Sequence, residues 1–252
     1  MSKFTKYAIG YGVISFIALL VFLGSSSGLL PIIVGSVLAI APVPVYIWLI
    51  LRTDPSPEPW KILVPCFIWG LAASAVLSLL FNTVAAGFVT ATAGKVILAP
   101  LIEEFFKGLA LIGLLLFARE YMNNLRDGMV YGSMVGLGFA MTENVLYYVQ
   151  AFLSGGFVEA FKTFGLRALG GVYAHPVFTS LTALGLVLAM KQKNPTLQKL
   201  VGFGGFLIAV LMHMAWNASP LLGQKGFWLM WVVVYMPALL FLFNYKFKEK
   251  KL

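Results

Sequence analysis

Hydrophobic positions in this chain fall in long blocks, and short polar clusters separate them. At about 20 apolar residues per membrane crossing, the blocks predict about eight helices. They lie near Tyr7–Leu23, Leu29–Leu51, Ile62–Val89, Val96–Ala118, Met129–Phe152, Leu166–Met190, Leu200–Ser219 and Phe227–Tyr245. The predicted fold is all-α, a polytopic transmembrane helix bundle forming one integral membrane domain over residues 1–252. Pro42, Pro44, Pro100 and Pro176 fall inside or at the mouths of spans. Each removes a backbone donor, so kinks or helix starts are expected there. The tail of the third block, Ala85–Val89, reads with Thr90–Gly94 as a surface loop. Trp60, Trp69, Trp228 and Trp231 read as interface anchors. Gly132, Gly136 and Gly138 read as close-packing surfaces between helices.

Composition agrees with the pattern. Hydrophobic residues make up 60% of the 252 and charged residues 11%, against about 25% charged in a soluble domain. Mean hydropathy is +0.92. The net charge of +9 does not point to nucleic acid, because the basic residues are spread through short loops. Their distribution sets orientation instead. Thirteen lie on the side that holds both termini, from Lys3 and Lys6 to Lys250 and Lys251. Four lie opposite: Lys95, Lys162, Arg167 and Lys225. The chain is therefore expected to be multi-pass in a plasma membrane, with both termini cytoplasmic. The first block reads as a retained span rather than a signal peptide, because a second apolar run follows Gly24-Ser-Ser-Ser-Gly28 at once. The single cysteine, Cys66, excludes an intrachain disulfide and a multi-cysteine zinc site.

Against this background one set of residues is out of place. Glu103, Glu104, Lys107, Glu143, His175 and His213 all fall within predicted spans, although a charge at the bilayer centre costs about 2.5–3.5 kcal/mol on insertion scales. Lys107 lies four residues after Glu103 and three after Glu104, within reach of either. Two adjacent carboxylates repel, so they share a proton unless Lys107 or another helix compensates. Glu143 follows Phe139 by four and precedes Asn144, while His213 and Asn217 share a face. His175 precedes Pro176 and is expected at a break. At 1.5 Å per residue, Glu103 lies about 11 Å from the outer end of its span, Glu143 and His175 about 14 Å, and His213 about 9 Å. Four helices thus place polar groups in one layer, as an outward-opening, water-filled cavity requires.

Singly, each residue has a plainer reading. The Glu–Lys pair could be a clamp, and each His or Asn an interhelical hydrogen-bond partner. The set at matched depth points instead to chemistry. A carboxylate beside an imidazole activates water as a general base, and a second His with an amide stabilises an oxyanion. That is a hydrolase for an acyl bond, and no serine or cysteine nucleophile is needed. The same groups could ligate zinc with an open position for water, although H-E-x-x-H is absent.

These segments carry a resemblance. E-E-F-F-K (Glu103–Lys107), G-F-A-M-T-E-N (Gly138–Asn144), the His175 segment and H-M-A-W-N (His213–Asn217) resemble, in order, the four motifs of the PrsW family of intramembrane proteases. More distantly they resemble the CAAX prenyl protease and Abi superfamily. The resemblance covers about 96–220, which would be the catalytic core. It implies a protease that cuts a membrane-anchored protein, such as an anti-sigma factor, near the extracytoplasmic face. Glu103 would activate water with Glu104 supporting it, and Lys107 would hold the pair. His213 and Asn217 match the oxyanion pair of the CAAX branch. That branch has His where this chain has Glu143, and His175 is the natural substitute. The expected type is glutamic and metal-free, since Lys107 competes with a cation for the carboxylates. If zinc is present, its ligands would be Glu103, Glu143, His175 and His213.

Two other classes remain. A proton- or ion-coupled transporter also places carboxylates near mid-membrane; inverted repeats would favour it, and none is visible. Its signature is uptake lost with Glu103→Gln and no cleavage product. A non-catalytic scaffold or immunity protein would be indifferent to Glu103→Gln.

Overall fold

The computed structural model describes residues 3–244 apart from 53, 55 and 172. Tyr245, at the end of the last expected span, and Lys246, Lys248, Lys250 and Lys251 lie outside the described residues. Among those described, the chain is all-α, with no strand. Backbone groups in lipid must all be paired within the protein, which only helices and closed barrels achieve. Among the described residues, three stretches are long and apolar enough to cross a membrane: Leu29–Leu51, Trp60–Ala85 and Pro195–Phe241.

Glycine and proline set the breaks. Helix α1 (Lys3–Ser27) ends at Gly28, whose φ of 76° lies in the left-handed region that glycine adopts without penalty. Helices α2 (Leu29–Ile40) and α3 (Val43–Leu51) are separated at Pro42, and Pro44 sits in the first turn of α3. Helix α4 (Trp60–Ile68) runs through a π-helical segment, Trp69–Ser74, into α5 (Ala75–Ala85). Of the expected loop Ala85–Gly94, only residues 86–90 form a connection; Ala85 ends α5 and the chain is helical again from Ala91. The connection leads to the one-turn α6 (Ala91–Ala93), a second π-helical segment, Gly94–Leu98, and α7 (Ala99–Phe117), with Pro100 at its start. Asn124 and Asp127 form a reciprocal capping box at the start of α8 (Leu125–Gly170). Helices α9 (Ala174–Met190), α10 (Pro195–Ala218), α11 (Gly223–Met230) and α12 (Met236–Asn244) complete the bundle.

Besides Leu29–Leu51, which divides at Pro42, a further expected span is not a single helix. Leu166–Met190 is interrupted: α8 ends at Gly170 and α9 begins at Ala174. Leu166 to Gly170 belong to the last part of α8, beyond a non-helical bend at Gly155–Gly156, where Gly156 has φ 66°. The apolar residues of that part hide the break from a hydropathy reading. His175 therefore sits in the first turn of its helix, not about 14 Å inside a span. It lies just after a break, as the following proline predicted.

The small residues of α8 determine how closely its neighbours approach. A Cβ at Gly70 would collide with the Val135 carbonyl, and one at Gly138 with the Phe67 carbonyl. The π-helical segment and α8 thus cross almost backbone to backbone. The Thr142 hydroxyl donates to the Leu71 carbonyl in that segment. On the other face, Gly136 abuts the His175 carbonyl, and a Cβ at Gly132 would lie 2.8 Å from Ser180 Cα. Helices α9 and α10 cross at Gly185 and Gly205, where a Cβ on either would lie 2.6 Å from the other's Cα. Trp69, expected in an interface belt, instead lies in this contact region and donates its indole N–H to the Phe106 carbonyl at 2.9 Å.

Candidate active site

The glycine crossings bring α8, α9 and α10 close together, α7 packs beside them, and the out-of-place polar residues meet there. On α7, Glu104 and Lys107 are fully buried and 2.5 Å apart, Oε1 to Nζ. Lys107 thus takes Glu104 rather than Glu103. Its ammonium also lies 2.9 Å from Nδ1 of His175 and 4.3 Å above the Phe139 ring, so three kinds of partner replace the water it has lost. Lys107 Nζ can only donate, so His175 Nδ1 accepts and its proton is on Nε2. That nitrogen is 3.0 Å from Oε2 of Glu143 on α8. Glu104 and Glu143, on different helices, are joined by a Lys107–His175 relay.

His213 on α10 closes the set. Its Nδ1 lies 3.0 Å from Glu104 Oε1, and its ring stacks on Phe178, with centroids 4.7 Å apart. Its Nε2 lies 3.8 Å from Glu103 Oε2. Glu103 is buried, and that oxygen has no hydrogen-bond partner. Glu103 and His213 both line a cavity of about 480 Å³. Glu143, Arg167, Trp216 and Asn217 also line it. Asn217 reaches the cavity wall but donates its amide to the Lys95 carbonyl at 2.9 Å, so it does not bond His213.

Sequence reading missed Arg167. It was counted as a loop cation, yet the last part of α8 turns it inward. Its Nη2 is 2.5 Å from Glu143 Oε2, its Nε is 2.5 Å from Asn144 Oδ1, and it lies 3.8 Å above the Tyr147 ring. Tyr147 and Thr179 were also missed. Thr179 Oγ1 is 3.4 Å from Glu104 Oε2. Each stands four residues beyond a chosen residue, Glu143 and His175, and that helical spacing was the available signal.

Two properties bear on metal binding. Single ligand atoms of Glu103, His175 and His213 lie within 4.8 Å of one another, a His₂Glu set of the type that holds catalytic zinc. The Glu104 carboxylate on His213 Nδ1 is the arrangement that orients a metal-bound imidazole, and the orphaned Glu103 oxygen is a free donor. The donor set therefore fits a zinc ion, with one strain: His175 would have to give up its Nε2 proton while an ammonium faces its Nδ1.

Comparison with known proteins agrees with the residue pattern. The profile of the PrsW family intramembrane metalloproteases matches residues 58–244. The Protease PrsW of Oceanobacillus iheyensis is 34% identical over 122 residues, 46% of this chain and 49% of that protein. The Protease PrsW of Geobacillus kaustophilus is 26% identical over 203 residues, 80% of this chain and 84% of that protein. No solved structure matches. The matched region contains every polar residue of the cavity described above, and the chain belongs to the PrsW family of intramembrane proteases.

Proposed function

We propose that this protein hydrolyses a peptide bond in a membrane-anchored protein substrate, with Glu103 as the base that activates water. The observation that carries this reading is Glu103 Oε2, which has no hydrogen-bond partner and lies 3.8 Å from His213 Nε2, on two residues that line one cavity. A water molecule can bond both. Glu103 removes its proton as it attacks the scissile carbonyl, then returns that proton to the leaving amine. Glu104 fixes the His213 tautomer, and Lys107 compensates Glu104. Because Nδ1 of His213 is committed to Glu104, its neutral ring has no N–H to offer an oxyanion. The amide of Asn217, released from the Lys95 carbonyl, and the guanidinium of Arg167 are the donors in reach of the cavity.

The metal-free glutamic type is favoured by the Lys107–His175 contact, which opposes a cation on that ring. The His₂Glu spacing favours the second reading: Glu103, His175 and His213 would hold zinc, with Glu143 beside them, and the ion would supply Lewis acidity and an acidified water. The distribution of basic residues favours a cavity at the extracytoplasmic face of a plasma membrane, with both termini cytoplasmic. A membrane-bound anti-sigma factor is the substrate class that family likeness suggests.

The test compares new protein N-termini in membranes that carry wild type or Glu103→Gln at equal levels. A membrane protein cut near its outer face with wild type alone supports the reading. Equal N-termini, together with an uptake activity that needs Glu103, would replace it with an ion-coupled transporter.

A further inference from the structure

Two cavities share Glu103 and Glu143. The second, about 360 Å³, lies between α5 and α8. Its origin is in the crossing of these helices. The π-helical segment before α5 is clamped to α8 at Gly70 and Gly138, while α5 itself leans on α7, with Phe81 and Phe106 centroids 5.1 Å apart. A cleft is left between α5 and the middle of α8.

Its walls are polar in a manner that helix packing does not require. Ser78 and Asn82 stand four residues apart on one face of α5, and Thr142 and Gln150 lie on α8 opposite. Ser78 is 2% exposed, and its hydroxyl has no hydrogen-bond partner. A buried, unanswered hydroxyl is unfavourable unless a ligand supplies its partner. A peptide bond becomes open to attack only where its helix is unwound, and unwound backbone has N–H and C=O groups that lipid cannot satisfy. Hydroxyls and carboxamides donate and accept alike, as such backbone needs.

Building on the protease reading above, we propose that the α5–α8 cleft binds the unwound peptide segment on one side of the scissile bond. Ser78, Asn82 and Gln150 hydrogen-bond its backbone and lead it to Glu103. The ligand is an extended peptide, not a lipid or a small solute.

The experiment uses the full-length protein in cell membranes, with the membrane proteins of the host as probe. New N-termini are compared for wild type, Glu103→Gln, Ser78→Val, Asn82→Leu and Gln150→Leu, and each variant's folding is checked by thermal unfolding in detergent. The expected result is Glu103-dependent cutting that slows about tenfold in the cleft variants, the effect of one or two lost hydrogen bonds. Residue preference should shift on one side of the cut only. Unchanged rate and preference in all three folded variants overturn the cleft proposal and leave the protease reading standing. No Glu103-dependent cutting by wild type overturns the protease reading itself. A photo-crosslinking residue at position 82 in the Glu103→Gln protein gives a second readout that needs no turnover. It should capture proteins that wild type cuts, and a crosslinker at the exposed Leu116 should not. Capture from neither position also overturns the cleft.

Discussion

His213 Nδ1 lies 3.0 Å from Glu104 Oε1, so one buried carboxylate decides which nitrogen of that ring faces the cavity. In the proposed mechanism, Glu104 acts on the reaction through His213. Glu104→Gln should lower the cleavage rate at saturating substrate about 10–100-fold, the usual effect of removing an orienting carboxylate. KM should change little, since Glu104 does not line the cavity. Initial rates over a range of substrate concentrations check this, and a rise in KM with unchanged kcat would contradict it.

Lys107 is fully buried, and its charge is answered by Glu104. Lys107→Met would leave that carboxylate without its ammonium, and removing one partner of a buried pair costs about 3–5 kcal/mol. Thermal unfolding in detergent should show a large fall in Tm. The double variant Lys107→Met with Glu104→Gln should recover part of it, because the two losses are coupled.

The crossing at Gly70 and Gly138 has no room for a methyl group. Gly70→Ala or Gly138→Ala should destabilise by about 1–3 kcal/mol and should also reduce cleavage by shifting Glu143. Gly10→Ala and Gly204→Ala, where an added Cβ meets nothing within 4 Å, should do neither. Tm and cleavage rate measured on the four variants test the contrast.

Away from the candidate site, Glu58 lies in the connection between α3 and α4 and accepts a hydrogen bond from Tyr131. Burial, with Asp127 and Asp54 nearby, raises its carboxyl from 4.5 to about 7. Between those values the folded protein binds a proton that the unfolded chain does not. The Glu58 contribution to stability is thus greatest below pH 4.5 and is lost as pH rises through about 7. Tm should fall more steeply from pH 5 to pH 8 in wild type than in Glu58→Gln. Parallel curves would contradict the assignment.

Much of the site was legible because helical spacing and lipid cost act locally. Glu103, Glu104, Lys107, Glu143, His175 and His213 were singled out as charges without water, and they converge. Their pairing was not legible. Whether Lys107 reaches Glu103 or Glu104 depends on which face of α7 meets α9, and that is set by glycine crossings distant in sequence. Arg167 escaped because hydropathy merges the last part of α8 with α9. The Gly155–Gly156 bend and the break before Ala174 are backbone events that an average over apolar residues does not register. Asn217 was matched to His213 by its four-residue spacing, yet its amide is held by Lys95, a tertiary contact with no local signature.

The most direct test of the central claim is cleavage by purified protein of a substrate found in membranes, with wild type and Glu103→Gln compared at equal folded concentration and metal content measured on the same samples. The account predicts a loss of about 10²–10⁴-fold on replacing the base, in wild-type preparations that cut without stoichiometric zinc. Undiminished cleavage by Glu103→Gln would contradict it. Stoichiometric zinc with activity abolished by chelation would keep the protease and replace the glutamic type with the Glu103, His175 and His213 metal centre.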